Sequence, residues 1–270
     1  MKKLSARRRH PLAALVVLIF ALAATGGLYT AFAPAGEAKA DQESSQSLAI
    51  EEGKKLYATG CSSCHGTGGQ GTSDGPSLVG VGAAAVDFQV GTGRMPMQQP
   101  GAQAPKKKKV YDEHETKQLA AYVASLGAGP EIPTKSQYDP SDADVAKGGE
   151  LFRTNCAQCH NFTGEGGALT KGKYAPDLTD VDPKHVYEAM QTGPQNMPSF
   201  SDGEMPEKDK GAIVAYLKTV NSDTSDNPGG FKLGGFGPVA EGMFAWVFGI
   251  GGMVALAVWV AARTAKAKKS

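Results

Sequence analysis

A mostly α-helical protein of two small tandem domains, set between two membrane-length apolar segments, is the architecture this sequence predicts. Three observations carry it. The pentapeptide Cys61-Ser62-Ser63-Cys64-His65 returns 95 residues later as Cys156-Ala157-Gln158-Cys159-His160, with its flanks repeated. Apolar residues before and after each copy recur at helical spacing. Uncharged runs of 22 and 21 residues, Leu12 to Ala33 and Gly242 to Ala262, lie near the two ends, and roughly 20 apolar residues suffice to cross a bilayer.

Residues 1–36 read as a signal or transmembrane anchor. Lys2, Lys3 and Arg7 to Arg9 precede the apolar run, and such positive flanks stay in the cytoplasm. Leu12 to Ala24 has the length of a signal-peptide apolar region, with Ala31-Phe32-Ala33 or Ala38-Lys39-Ala40 as cleavage sites, while the full run is long enough to remain as an anchor. Residues 37–47 are Ser/Gln/Glu-rich and read as a flexible linker.

The first domain spans 48–127. It opens with a helix over Leu48 to Ala58 that Gly60 stops, passes through a glycine-rich loop after His65, and closes with a helix over Thr116 to Leu126 whose apolar stripe is Leu119, Tyr122, Val123 and Leu126. Residues 128–140 hold Pro130, Pro133 and Pro140 and read as a stiff linker rather than a helix. The second domain, 141–222, repeats the order: a helix over Asp144 to Thr154, a loop over Gly164 to Pro176, a short helix over His185 to Gln191 and a closing helix over Lys208 to Val220. Gly53 corresponds to Gly148, Leu56-Tyr57 to Leu151-Phe152, Pro76 to Pro176 and Ala121-Tyr122 to Ala215-Tyr216. Residues 223–241 form a Gly-rich connector, 242–262 a transmembrane helix with Trp246 and Trp259 near its ends, and 263–270 a basic cytoplasmic tail. This arrangement puts both domains on the extracytoplasmic face of a cell membrane.

The overall charge of +1 hides an asymmetry. Nine of the 28 basic residues lie at the two ends, so the 19 between Glu37 and Glu241 face all 27 acidic ones. No basic stripe tracks a phosphate backbone, which argues against nucleic acid as a partner. Lys106 to Lys109, a lysine run in a Pro/Gly/Gln loop, reads as a solvated loop, with docking to an acidic partner or lipid face as the alternative.

Cys-x-x-Cys-His is the attachment signature of c-type haem, and the two copies use all four cysteines of the chain. The spacing lets two thiols form thioethers with one porphyrin while the adjacent histidine ligates its iron. The sequence therefore predicts two covalently bound haems c, at Cys61, Cys64 and His65 and at Cys156, Cys159 and His160. A zinc knuckle fits poorly, because 92 residues separate Cys64 from Cys156 where about 15–20 is usual. A porphyrin core also explains how domains of this size, without a disulfide, hold together.

Met95 and Met197 are the candidate axial ligands opposite His65 and His160. Each precedes proline and follows a Thr-Gly pair, Thr92-Gly93 and Thr192-Gly193, between haem loop and closing helix. Met97 and Met205 are the alternatives. His114 and His185 offer bis-His coordination but read as exposed polar residues. Pro76 and Pro176 are candidates whose carbonyls would accept the Nδ1 proton of His65 and His160 and so hold each imidazole in its ligating tautomer; the alternative is that they are turn prolines only. No nucleophile, general base or phosphate loop emerges, and methionine candidates for both irons argue against a peroxidase, which needs an exchangeable sixth position.

These residues resemble a known family. The two domains are similar to class I cytochrome c domains, and the tandem arrangement with a C-terminal helix resembles the dihaem cytochrome c subunit of the actinobacterial cytochrome bcc complex, a quinol–cytochrome c reductase. Thr92-Gly93-Arg94-Met95-Pro96, Cys156 to Phe162, Lys173 to Leu178, Gly193 to Pro198 and Gly234 to Pro238 carry the likeness. It implies two tandem class I cytochrome c folds and an electron-transfer subunit with no independent catalytic site. It also implies a cytochrome b subunit, a Rieske iron–sulfur subunit and a haem–copper terminal oxidase as partners. Electrons would arrive from the Rieske protein at the haem of His65 and Met95 and leave from that of His160 and Met197.

Overall fold

The computed structural model describes residues 11–32, 36–221 and 238–267. The chain divides into two compact units at Leu48 and Ala49. Lys2, Lys3, Arg7 to Arg9, most of the glycine-rich connector and the last two lysines lie outside the described residues.

Helix α1 (Pro11–Phe32) is the first apolar segment, and Leu12–Thr30 within it is long and apolar enough to cross a membrane. Helix α2 (Gly36–Gly60) then runs unbroken through the stretch expected to be a flexible linker. The correction has a local cause: residues 36–47 contain no proline and several Ala, Glu, Lys and Gln, all good helix formers. They extend the leading helix of the first domain backwards. The helix stops at Gly60, as expected.

After α2 the first domain adds α3 (Ser62–His65), α4 (Gly82–Gly91) and α5 (Glu113–Ser125). The sequence reading did not anticipate α4. It lacks an amphipathic stripe because it is buried almost all round, with Ala84, Val86, Phe88 and Val90 in the core. Helix α5 starts three residues earlier than Thr116 because Asp112 and Glu115 form a capping box: the Glu115 amide donates to Asp112 Oδ1 at 2.8 Å and the Asp112 amide to Glu115 Oε2 at 2.9 Å.

The second domain comprises α6 (Lys135–Tyr138), α7 (Val145–Asn155), α8 (Ala157–His160), α9 (Pro183–Thr192) and α10 (Glu207–Asn221). Its loop is more ordered than expected, since β1 (Gly167–Ala168) and β2 (Tyr174–Ala175) pair antiparallel with Gly167 opposite Ala175. The proline-rich linker also contains a helical turn, α6, capped by Thr134 and Gln137. It is bonded to both domains: the Ala84 amide donates to the Pro130 carbonyl at 3.1 Å, and Gln137 donates to Glu207 at 2.9 Å.

Leading and closing helices cross tightly in both domains. A Cβ on Gly53 would lie 1.9 Å from the Gln118 carbonyl oxygen, and one on Gly148 would lie 2.0 Å from that of Ala212. Only glycine permits this approach. An aromatic pair flanks each crossing, Tyr57 with Tyr122 at 5.0 Å and Phe152 with Tyr216 at 5.6 Å.

Towards the C-terminus, α11 (Pro238–Phe244), a π-turn segment (Ala245–Ile250) and α12 (Gly251–Ala267) are continuous. Glu241–Arg263 is long and apolar enough to span a membrane. Arg263 caps it, 4.3 Å from the ring of Trp259.

Candidate haem sites

Each pentapeptide folds as one helical turn. The His65 amide donates to the Cys61 carbonyl at 3.0 Å and the His160 amide to that of Cys156 at 2.9 Å. Positions i, i+3 and i+4 of a turn share a side, so both thiols and the imidazole are presented together.

Both histidines are anchored through Nδ1. His65 Nδ1 lies 2.8 Å from the Pro76 carbonyl oxygen, and His160 Nδ1 lies 3.1 Å from that of Pro176. Donation to these carbonyls fixes the tautomer and leaves Nε2 free to bind a metal. The surrounding loops repeat the same network. Gly71 donates to His65 and Leu78 to Gly69; in the second copy Gly166 donates to His160 and Leu178 to Gly164. Gly71 and Gly166 sit at φ +84° and +77°, which explains why both loops need glycine there.

His160 is 8 % exposed, and burial pushes its pKa down against the pull of the Pro176 bond. The neutral imidazole, the form that binds metal, is thereby favoured. Burial, reinforced by the neighbouring cysteine, pushes the thiols of Cys61 and Cys156 up to about 11. These are poor free nucleophiles facing apolar surroundings.

In the first domain Cys61 and Met95 pack on one apolar cluster with Leu78, Val81, Val86 and Val90. In the second, Cys156 and Met197 pack on its counterpart with Leu178, Val181 and Val186. A cleft of about 150 Å³ there brings together Cys156, Cys159, His160, Pro176 and Met197 among apolar side chains including Leu169, Met190 and Phe200. These residues fit a thioether-bound haem: two thiols, an oriented histidine, a thioether sulfur and a carbon-lined wall. Met205 is packed in the core, 4 % exposed, and is absent from the cleft wall. Met97 is half-buried in its own loop, near Gly101.

His114 is exposed, as expected. His185 is not. Its side chain is 13 % exposed, lines the second cleft and meets Phe88 of the first domain edge-on at 6.1 Å. The misreading arose because the partner that buries it, α4, was not foreseen.

His185 belongs to a buried polar group where α4 meets α9. Its Nδ1 lies 2.7 Å from Glu188 Oε2, and Lys184 pairs with Asp87 at 2.5 Å. Asp87 and Glu188 are 3 % and 0 % exposed, and the remaining Glu188 oxygen finds no donor among the described residues. A proton on Glu188, shared with Asp87, satisfies it. Burial and then Asp87 push Glu188 up to about 10. Desolvation works against ionisation of Asp87 too, but bonds from Glu188 and Lys184 outweigh it and hold that carboxyl low. Asp87, His185 and Glu188 could offer ligand atoms within 4.8 Å of one another, yet the Lys184 ammonium already takes the cation's place.

The second cleft also receives Phe88, Arg94 and Gln103 from the first domain. Gln103 brackets the backbone of Tyr174, accepting from its amide at 3.0 Å and donating to its carbonyl at 2.7 Å. Gln195 brackets Ala104 in the same way, at 3.1 and 3.3 Å. Sequence reasoning missed these contacts, although one signal was available: Asp87 is the only charge in the apolar run Gly82 to Gly91.

Residues 48–123 and 143–217 each match the family model described as cytochrome c oxidase, cbb3-type, subunit III. The chain is 46% identical to the cytochrome bc1 complex cytochrome c subunit of Mycobacterium tuberculosis, over 96% of this chain and 93% of that protein. It is 45% identical to the subunit of the same name from Corynebacterium diphtheriae, over 97% of this chain and 99% of that one. A more distant likeness, 31% identity over 64% of this chain and 61% of the other, links it to the cbb3-type cytochrome c oxidase subunit FixP of Bradyrhizobium diazoefficiens. The chain is thus a mostly helical electron-transfer protein whose two cytochrome c domains are of the kind that holds haem c. With both repeats matched and likeness along nearly its whole length, it belongs to the family of cytochrome bc1 complex cytochrome c subunits.

Proposed function

We propose that this chain is the membrane-anchored dihaem subunit of a quinol–cytochrome c reductase, passing electrons from a Rieske iron–sulfur centre to a haem–copper terminal oxidase. Cys61 and Cys64 attach one haem and Cys156 and Cys159 the other. His65 with Met95, and His160 with Met197, would hold the two irons, and Pro76 and Pro176 would orient the two imidazoles. The observation that carries this reading is the repeated histidine–proline carbonyl pair, at 2.8 and 3.1 Å, behind two complete attachment turns.

Haem c, when bound, supplies a one-electron iron couple. The chain's task is to hold that iron in fixed coordination, so that a change of valence displaces little. Methionine opposite histidine raises the potential relative to bis-histidine ligation. Met95 and Met197 pack against apolar clusters, which lower the local polarity beside the thioether sulfurs. Both domains lie on the extracytoplasmic face, with the end of α12 directed to the cytoplasm, an orientation supported by Arg263 after the second apolar span.

The test is isolation of the full-length chain from membranes in mild detergent. Two haems per chain by pyridine haemochrome, with co-purifying cytochrome b and Rieske subunits, are expected. The likeness to the FixP oxidase subunit favours one other reading, a subunit of an oxidase that takes electrons from elsewhere. Recovery with oxidase subunits but without cytochrome b would select it and sink ours.

A further inference from the structure

The second cleft has a charge pattern that its own domain does not complete. Among the described residues no aspartate or glutamate lines it, whereas Arg94 and Lys173 bring cations and Gln103, Gln195 and Asn196 bring amides. Lys173 is engaged by Asn196 Oδ1 at 2.8 Å. Arg94, from the first domain, forms no ion pair among the described residues, and its guanidinium lies 4.8 Å from the centre of the Phe88 ring. A half-buried cation without an anion is costly, and arginine's planar fork matches a carboxylate oxygen for oxygen.

Haem c carries two propionate carboxylates, and these are the anions a cleft of this kind would receive. Resting on the haem assignment above, we propose that Arg94 is the cross-domain binding site for a propionate of the second haem. The two glutamine brackets, Gln103 on Tyr174 and Gln195 on Ala104, pin residues 103 and 104 to the second domain and so hold the loop that begins at Arg94 against the cleft. Because Met95 is the next residue, one short loop supplies the sulfur ligand of the first iron and the charge partner of the second. A positive charge beside a haem favours its reduced state, so Arg94 raises the second potential only while the first domain is docked.

The experiment uses the full-length chain in detergent, with pyridine haemochrome first and spectroelectrochemical titration second. Met197→His marks which component is the second haem. Arg94→Gln is expected to retain both haems and to shift that component's oxidised-to-reduced ratio about tenfold toward oxidised at fixed potential, about 59 mV for a one-electron couple. Arg94→Lys keeps the charge and should recover most of the shift. An unmoved second potential in Arg94→Gln, or equal shifts in both variants, would overturn the proposal, the latter showing a packing role. Should Arg94→Gln fail to accumulate, resonance Raman of the propionate bending modes in wild type and Arg94→Lys decides. Loss of the fork should move one mode, and identical spectra refute the contact. Fewer than two haems in the wild-type chain would instead refute the haem assignment itself.

Discussion

Replacing Glu188 by glutamine tests whether the buried acid on α9 is held protonated. Glu188 is fully buried, bonded to His185 and set against Asp87, whose carboxylate pairs with Lys184. One lysine balances one carboxylate, and His185 contributes no further charge, because burial and then Lys184 push its pKa down. Glu188 therefore keeps its proton up to about pH 10, whereas the unfolded chain releases it near the ordinary value of 4.5. The sign follows directly. This group's contribution to stability is complete below about 4.5 and is lost as pH rises towards 10, at about 1.4 kcal/mol per pH unit. Between pH 6 and 8 wild type should lose on the order of 2–3 kcal/mol by this route. Glutamine has no proton to lose in either state, and its amide can donate to Asp87 while its oxygen accepts from His185. Denaturant unfolding of the full-length protein in detergent at pH 6 and 8, followed by Soret circular dichroism, measures both slopes. Glu188→Gln should be nearly flat over this range and more stable than wild type at pH 8. Parallel pH slopes for the two proteins would refute the protonated acid.

Two further predictions concern the haem sites and the helix crossings. Met95→His and Met197→His should each lower one of the two midpoint potentials, since imidazole in place of thioether stabilises the oxidised iron; a titration unchanged by either variant excludes that methionine as a ligand. Gly53→Ala and Gly148→Ala place a Cβ 1.9 and 2.0 Å from a carbonyl oxygen of the crossing helix, which must separate the helices at a cost of roughly 1–3 kcal/mol or more. Thermal melts followed in the Soret region should show a lowered Tm for each, and a wild-type Tm would show that the crossing is not as tight as the geometry requires.

The candidate sites were legible because covalent haem attachment, the chemistry they are proposed for, fixes residue spacing. Cys-x-x-Cys-His admits few readings, and duplication allowed Pro76 and Pro176 to be picked out as equivalent positions before either histidine bond was seen. Helix starts depended on side-chain caps, so Asp112 moved α5 earlier by three residues. The segment 37–47 shows the opposite limit: its polar composition suits either a solvated linker or an exposed helix, and continuity with a strong helix decides the matter. Helix α4 escaped notice because a short helix buried nearly all round has no amphipathic period. Everything that depends on α4 escaped with it, including the burial of His185, the Asp87–Glu188 pair and the reach of the first domain into the second cleft.

Those omissions share a physical origin, and it bears on how the two domains work together. Periodicity and motifs report what a segment needs from its own domain, whereas Asp87, Arg94 and Gln103 answer to residues 71 to 101 positions away. An apolar contact between two domains tolerates sliding, because burial has no direction. A buried acid pair bonded across the contact does not, since displacement by little more than an ångström leaves the carboxyls of Asp87 and Glu188 unpaired; the two amides that each bracket a backbone add direction nearer the surface. Electron transfer between centres weakens steeply with distance, so a fixed register between the domains serves that chemistry more than added affinity would. The two repeats are accordingly unequal as sites. Each domain carries its own two cysteines, histidine and methionine, but the cleft of the second is also lined by Phe88, Arg94 and Gln103 of the first.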